Sequence, residues 1–387
     1  MEVKQTAIAG IAELPHGRMT GVTPTALYDR LGRMALEDAG LDVADVDAVI
    51  TLSPRSDPYL IHAAALAEFM GIAPPVALTV ESGGAAPAVM VDLARMMIQG
   101  DRATTVLIVS ADMPLSVVNR SNYIQTLADS GPVHPDIERP FGPTVPSLFG
   151  ICARAYMEEY GASERDLAAV SLQDRRAAMG HPNAHMRKPL DMAGYLASPM
   201  IADPLRLLDC TPVSDGGGAV VVTSLARARD LKARPVKVLS AGFAMTHLHL
   251  SAAASLTRFG AGIAFERALR QAGLAPGDID VGLIYDCFTI ALLLNLEDMG
   301  LCPRGQAGEA FRAGDFDLGG RLPINPHGGL LSHGYPGRAA GIGNLIEAVV
   351  QLRGEAGDRQ VKDAEVTLTH GMGGVLATHG VLLLGRA

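Results

Sequence analysis

Tryptophan is absent from this 387-residue chain and aromatics make up only 4 % of it, so any core must be built from Ala, Val, Leu, Ile and Met within a hydrophobic fraction of 48 %. That fraction is ample for a chain of this size to fold without covalent staples. Cysteine is scarce: Cys152, Cys210, Cys287 and Cys302 form no C-x-x-C pair, which argues against a structural zinc site built on cysteines. Few cysteines in a large chain also argue against a disulfide framework and for a reducing compartment. Positive charge is short, 32 Lys and Arg against 41 Asp and Glu, a formal net charge of −9. That balance excludes a general nucleic-acid binder, while still allowing an anionic ligand at a helix N-terminus or local basic patch. No apolar run approaches the roughly 20 residues of a membrane helix. The opening MEVKQTAIAGIAELPHGR meets an acidic residue at once and has too short an apolar run for a signal peptide. The expectation is a soluble cytoplasmic protein.

Glycine is plentiful, 43 residues, but scattered through apolar segments rather than gathered in low-complexity tracts. The length allows two or three average domains or one large α/β unit. An internal repeat points to duplication. Ala35–Leu41 (ALEDAGL) precedes DVADVDAVI, and Ala268–Leu274 (ALRQAGL) precedes APGDIDVGLI. Each copy predicts an amphipathic helix ended by glycine (Gly40, Gly273), an acidic turn and a β-branched strand. Val106–Ser110 and Ala219–Thr223 predict buried strands, with a polar, Pro- and His-containing insert over about 113–209 between them. The charged stretch Ala226–Pro235 links two halves, residues 1–225 and 226–387.

Four longer segments carry a resemblance. They are SPMIADPLRLLDCTPVSDGGGAVVVTS (Ser198–Ser224), IYDCFTIALLLNLEDMGLCPRGQAGEAF (Ile284–Phe311), LPINPHGGLLSHGYPGRAAG (Leu322–Gly341) and HGMGGVLATHGVLLLG near the C-terminus. In order and spacing the chain resembles the thiolase superfamily, in particular its sterol-carrier-protein-X type. The resemblance implies a five-layered αβαβα fold of two similar halves with a loop domain over the active site. It also implies an oligomer acting on acyl-CoA thioesters.

The nucleophile of that family is missing. A thiolase presents a thiolate at the N-terminus of a buried helix, where backbone N–H groups and the helix dipole lower its pKa. Here the helix is AAPAVMVDLARMMIQG, starting near Ala85, and the cysteine position falls on Gly84 within VESGGAAP. Ser82 lies two residues out of register; it is either a displaced nucleophile or, as we prefer, part of a glycine turn that caps the helix. In Tyr285-Asp286-Cys287-Phe288, Tyr285 stands where relatives carry histidine or asparagine of an oxyanion hole. Cys287 is either an acid–base group or a small core residue. In His333-Gly334-Tyr335-Pro336, Tyr335 replaces the histidine that activates the cysteine. His327 and His333 are either orienting groups of the site or loop-fixing residues. The resemblance assigns Gly84, Gly373, Gly374 and Asn325 to the substrate or its oxyanion hole. Asp215-Gly216-Gly217-Gly218 is read as a turn into a strand rather than a phosphate loop, and Glu297 and Asp298 as a solvated helix face.

Losing nucleophile and base together, with tyrosines at two facing positions, fits a change of reaction. Retro-aldol cleavage of a β-hydroxyacyl-CoA needs a base, an enolate hole and an acid, but no nucleophile. The pattern resembles the steroid side-chain aldolases of the superfamily, which cleave a 17-hydroxy steroid acyl-CoA of cholesterol side-chain breakdown to a 17-ketosteroid and propionyl-CoA. Tyr285 and Tyr335 are then the acid–base pair. The resemblance further implies a heterotetramer, a homodimer core with a small OB-fold and zinc-ribbon partner, with any zinc in that partner and no cofactor beyond the coenzyme A of the substrate. Two other readings stand beside it: an acyltransferase using Ser82 or Cys287, which would form a covalent acyl-enzyme, and a non-catalytic subunit, in which neither tyrosine matters.

Overall fold

The computed structural model describes residues 4–118, 120–129 and 132–387; residues 1–3 of the first half and 119, 130 and 131 of the insert lie outside them. In chain order β1 (Thr6–Glu13) leads to α1 (Pro24–Ala39), β2 (Ala48–Thr51), α2 (His62–Met70), β3 (Val76–Thr79), α3 (Ala86–Gln99) and β4 (Thr105–Asp112). The insert carries α4 (Arg120–Asp129), α5 (Val145–Tyr160), α6 (Glu164–Met179), α7 (Met192–Leu196) and a small pair, β5 (Met200–Ala202) and β6 (Leu205–Arg206). The chain returns through β7 (Gly216–Ser224), α8 (Leu225–Ala228) and β8 (Val236–Met245). It then forms α9 (Ala261–Ala272), β9 (Val281–Leu283), α10 (Thr289–Asp298), α11 (Ala307–Ala313), α12 (Gly341–Arg353), β10 (Val366–Gly373) and β11 (Thr378–Arg386).

Among the described residues nine strands join in the order β3-β2-β4-β7-β1-β8-β11-β10-β9. Read outward from the antiparallel β1·β8 seam, the two sides repeat one pattern: antiparallel β1·β7 and β7·β4 then parallel β4·β2, matched by antiparallel β8·β11 and β11·β10 then parallel β10·β9. The duplication read from the sequence extends to its turns. Helices α1 and α9 both end on a left-handed glycine, Gly40 at φ 74° and Gly273 at φ 68°. In the acidic turns that follow, Asp45 accepts the Asp42 N–H and Asp278 accepts the Ala275 N–H. Each half also brings its outer helix onto a strand glycine: a Cβ on Gly10 would meet the Ala35 carbonyl at 2.1 Å, and one on Gly242 the Ala264 carbonyl at 2.0 Å.

Strand alternation sorts the layers. Ile108, Val220, Val222, Leu283 and Leu382 face a shared core with α3 and α12, which lie between the two halves. Leu107, Val109 and Val221 face outward onto α1 and α2, while Val381 and Leu383 face outward onto the second half's cover. The result is the five-layered αβαβα arrangement. Residues of α5 and α6 share the outer core of the second half with α10. Among the described residues no helix is long and apolar enough to cross a membrane.

Candidate active site

Two tyrosines meet at a seam between the halves. Tyr285 follows β9, whose end is held by Asn325: its Oδ1 accepts the Ile284 N–H at 2.8 Å and its Nδ2 donates to the Ile284 carbonyl at 2.9 Å. Asn295 of α10 donates to the Tyr285 carbonyl at 3.2 Å, fixing the residue from the other side. Tyr335 follows a π-helical turn, Gly329–His333, and Gly334 at φ 154°. It is locked by Ser214, whose N–H donates to the Tyr335 carbonyl at 3.1 Å and whose Oγ accepts the Tyr335 N–H at 3.2 Å. The two phenols hydrogen-bond to each other.

Gly84 sits in the short turn Gly83–Ala85 that leads into α3, so a helix N-terminus points at this pair. A Cβ on Gly84 would lie 2.3 Å from both Cζ and Oη of Tyr285. The phenol therefore occupies the volume that any side chain at the nucleophile position would need. The second glycine turn touches the first backbone to backbone, since a Cβ on Gly83 would meet the Gly373 Cα at 2.8 Å. Gly84, Gly373, Gly374, Cys287, Tyr285 and Tyr335 all line one cavity of about 630 Å³. The insert closes it with mostly apolar groups such as Leu127, Val145 and Phe149, the last stacked on Phe288 at 4.3 Å.

Electrostatics separates the tyrosines. Burial pushes both phenols above the ordinary tyrosine value, Tyr285 the more firmly because the neighbouring Tyr335 and Cys287 also oppose its charge. For Tyr335, burial and Cys287 are opposed by the hydrogen bond from Tyr285 and by the Arg55 and Arg338 guanidiniums. Tyr335 is thus the more readily ionised of the pair. Cys287 is held as a neutral thiol, its pKa raised well above normal by burial and by Asp286. Among the described residues none of the four cysteines is in a disulfide.

Several expected site residues lie elsewhere. Asn325 does not line the cavity; its amide is spent on the Ile284 backbone. His327 and His333 point away from the tyrosines into a separate buried cluster, with ring centroids 5.0 Å apart. The Ser82 hydroxyl makes no cap hydrogen bond and does not line the cavity, which corrects the capping expectation. Asp215 caps two loops, accepting from Leu115, Ser116 and Met19 N–H groups, as a turn into β7 requires. Glu297 and Asp298 correct the expectation of a solvated face: Glu297 is 3 % exposed and accepts from Tyr156, Gly305 and Ala307, while Asp298 takes the Phe259 N–H and Arg304. Helix α10 is buried on every side, so its terminal acids turn inward to cap the next loop.

Three cavity groups were not anticipated. Arg55 and Arg338 bring positive charge, Arg338 pairing with Glu81. Tyr123 of α4 lines the wall with a buried hydroxyl that has no hydrogen-bond partner among the described residues. Nothing in the sequence spacing links positions 55, 123 and 338 to one another.

Behind the site, Asp286 accepts the Leu330 and Leu331 N–H groups at 2.8 and 3.0 Å and interacts with the fully buried Asp174, whose carboxyl oxygens have no hydrogen-bond partner among the described residues. Burial raises both carboxyls, Asp286 to about 6 and Asp174 well above its normal value; Asp286 also opposes the charge of Asp174, while the Leu330 and Leu331 N–H groups restrain the rise of Asp286. A raised carboxyl contributes stability that is full below its unfolded value of about 4 and is lost as pH rises through its folded value. This pair by itself therefore makes stability, read as the urea midpoint, fall from pH 5 to pH 8, while buried histidines held neutral, His62, His327 and His379 among them, make it rise up to about pH 6.5. Asp174→Asn should flatten that fall and, at pH 8, match or exceed wild type by on the order of 1 kcal/mol.

This arrangement, a duplicated αβαβα fold with its site between two glycine turns and the tip of a central helix, is that of the thiolase superfamily, to which the chain belongs. A family profile described as "Thiolase C-terminal domain-like" matches residues 242–386. An acetyl-CoA acetyltransferase of Methanothermobacter thermautotrophicus is 33 % identical, covering 99 % of this chain and 100 % of that protein. The 17-hydroxy-3-oxo-4-pregnene-20-carboxyl-CoA lyase of Mycobacterium tuberculosis is 34 % identical, covering 98 % and 99 %. Among solved structures, the Ltp2-ChsH2(DUF35) aldolase superposes with a TM-score of 0.87 at 32 % identity, covering 100 % of this chain and 99 % of that one.

Proposed function

We propose that the enzyme cleaves a β-hydroxyacyl-CoA by retro-aldol chemistry, the substrate being a 17-hydroxy steroid carboxyl-CoA, to give a 17-ketosteroid and propionyl-CoA. The observation that carries this reading is the Tyr285 ring in the volume of a side chain at Gly84, hydrogen-bonded to Tyr335. An acyltransferase and a lyase resemble the chain equally well over its length, so the residues at the site decide between them. With no side chain at position 84, a neutral Cys287 and Ser82 outside the cavity, a covalent acyl-enzyme has no evident nucleophile.

In the proposed reaction Tyr335, having first given its own proton to solvent, takes the proton of the β-hydroxyl as the phenolate. The Cα–Cβ bond breaks, its electron pair moves to Cα and the thioester oxygen, and the β-carbon leaves as a ketone. Backbone N–H groups at Gly84 and the Gly373–Gly374 turn, with the α3 N-terminus behind them, stabilise the enolate. Tyr285 then protonates Cα, giving propionyl-CoA, and regains a proton from Tyr335, which is restored to the phenolate. A cavity of about 630 Å³ with an apolar insert wall suits a bulky, rigid acyl group better than an acetyl group. No cofactor beyond the substrate's own coenzyme A enters this scheme.

The likeness to an aldolase solved with a DUF35 protein supports a partner of the same kind here, joined to a homodimer as a heterotetramer. The test is product analysis by mass spectrometry on a 17-hydroxy steroid C22-oyl-CoA, with the chain alone and co-expressed with an OB-fold/zinc-ribbon protein. The reading expects equimolar 17-ketosteroid and propionyl-CoA, with the co-expressed form the more soluble and active. A substrate left intact by both forms would overturn the reaction; a fully active, stable homodimer would overturn the partner.

A further inference from the structure

Behind Tyr335, on the side away from the cavity, lies a buried group that the proposed reaction does not use. Glu13 ends β1, His16 follows it, and His333 closes the π-helical turn two residues before Tyr335. We propose that Glu13, His16 and His333 form a binding site for a divalent first-row cation of the zinc class. This inference does not rest on the retro-aldol reading.

Distance is the first argument. The Nε2 atoms of His16 and His333 lie 3.4 and 3.3 Å from the two oxygens of the single Glu13 carboxylate. Hydrogen bonds from N–H to oxygen cluster at about 2.7–3.2 Å. Tetrahedral ligands at about 2.0–2.1 Å from zinc are separated by about 3.3–3.4 Å. Each imidazole therefore stands at ligand spacing from one of the two carboxylate oxygens. One donor atom from each of the three residues lies within 4.8 Å of the others.

Satisfaction is the second. Apart from those contacts within the trio, Glu13 Oε1, His333 Nε2 and both His16 nitrogens have no hydrogen-bond partner among the described residues, although the side chains are 6 %, 3 % and 1 % exposed. Buried polar atoms are rarely left so without an ion or water. The walls are shaped for these rings: a Cβ on Gly334 would meet His16 Nδ1 at 2.4 Å, and one on Gly216 would meet it at 2.9 Å. An outer layer supports the set. Asn183 Nδ2 donates to Glu13 Oε2 at 3.0 Å. The His181 ring packs 4.5 Å from His333 while its Nε2 faces Glu347 at 3.7 Å, and His327 Nε2 lies 3.2 Å from Asn344 Oδ1. Two imidazoles and a carboxylate, with a fourth position for water, are a zinc donor set. Bound there, the ion would pin the end of β1 to the turn that aims Tyr335.

The test uses the full chain produced in zinc- and in cobalt-supplemented medium, with metal content read by mass spectrometry and the cobalt form by visible absorption. If the chain requires its partner, complexes carrying wild-type and variant chains are compared, so that metal in the partner cancels. The expected result is one more metal per chain in wild type than in His333→Gln, and cobalt bands without thiolate charge transfer. Glu13→Gln, which keeps side-chain volume, should lose the ion to a chelator at least tenfold faster, while His181→Gln retains it. Equal metal in wild type, His333→Gln and Glu13→Gln, or a wild-type chain with no cobalt bands, would overturn the proposal.

Discussion

Tyr335→Phe lowers kcat for cleavage of the hydroxyacyl-CoA by about 10²–10⁴-fold, the usual cost of removing a positioned acid–base group. KM should change far less, because the apolar wall contributed by the insert and the glycine turns are untouched. The pH profile carries the same mechanism. Burial holds the Tyr335 phenol above its ordinary value, and the base works deprotonated, so kcat/KM of the wild type rises with pH between 7 and 9. Arg55 and Arg338 pull the phenol down; replacing either with Met should move the rise to higher pH and lower the rate at pH 7. Tyr285→Phe removes the hydrogen bond from Tyr285 and the proposed acid, so it lowers kcat as well. A Tyr335→Phe enzyme within a few-fold of wild type, with an unchanged pH profile, would remove tyrosine from the chemistry.

Gly84→Ala is the second large effect. The added methyl would sit 2.3 Å from Cζ and Oη of Tyr285, far inside contact distance, and the neighbouring backbone leaves no room on the other side. A Cβ on Gly341 or Gly371 would itself meet the Gly84 carbonyl at 2.5 or 2.3 Å, so this turn is packed between backbone segments and cannot retreat. The ring must move instead, breaking its hydrogen bond to Tyr335. We expect a loss of stability of about 1–3 kcal/mol, as for overpacking elsewhere, together with loss of cleavage. In the Gly84→Ala/Tyr285→Ala double variant the stability cost of the methyl should shrink, a coupling that a thermodynamic cycle on urea midpoints measures. Independent, additive effects would mean that the ring does not fill that space. The same geometry predicts that Gly84→Cys does not yield a thiolase, since the thiol would have no place to stand while Tyr285 remains.

The fold was legible in the sequence because its signals are local. Glycine ends at Gly40 and Gly273, each followed by an acidic turn and a β-branched strand, reflect chain geometry within a few residues. Gly84, Tyr285 and Tyr335 were legible for another reason: each stands in a motif of fixed position, and the structure brings them into one cavity with Gly373 and Gly374. What the sequence hid is long-range. Asn325 reads like a site residue from its motif, yet its amide is consumed by the Ile284 backbone, a pairing across 41 positions. His327 and His333 sit in the same motif as Tyr335, but the π-helical turn and Gly334 send them to the opposite side of the backbone. Glu297 and Asp298 look like surface acids at the end of a helix; only the burial of α10 on every side turns them inward. Arg55, Tyr123 and Glu13 come from segments with no motif, and their roles depend on which loops the sheet order makes neighbours.

The most direct test of the central claim is the intact mass of the enzyme during turnover of the hydroxyacyl-CoA, read beside product stoichiometry with no free coenzyme A present. A retro-aldolase releases ketone and propionyl-CoA in equal amounts while the protein mass stays that of the unmodified chain. A protein carrying an acyl group, or cleavage that begins only when free coenzyme A is added, would contradict the account and return the chain to thiolase chemistry with a displaced nucleophile.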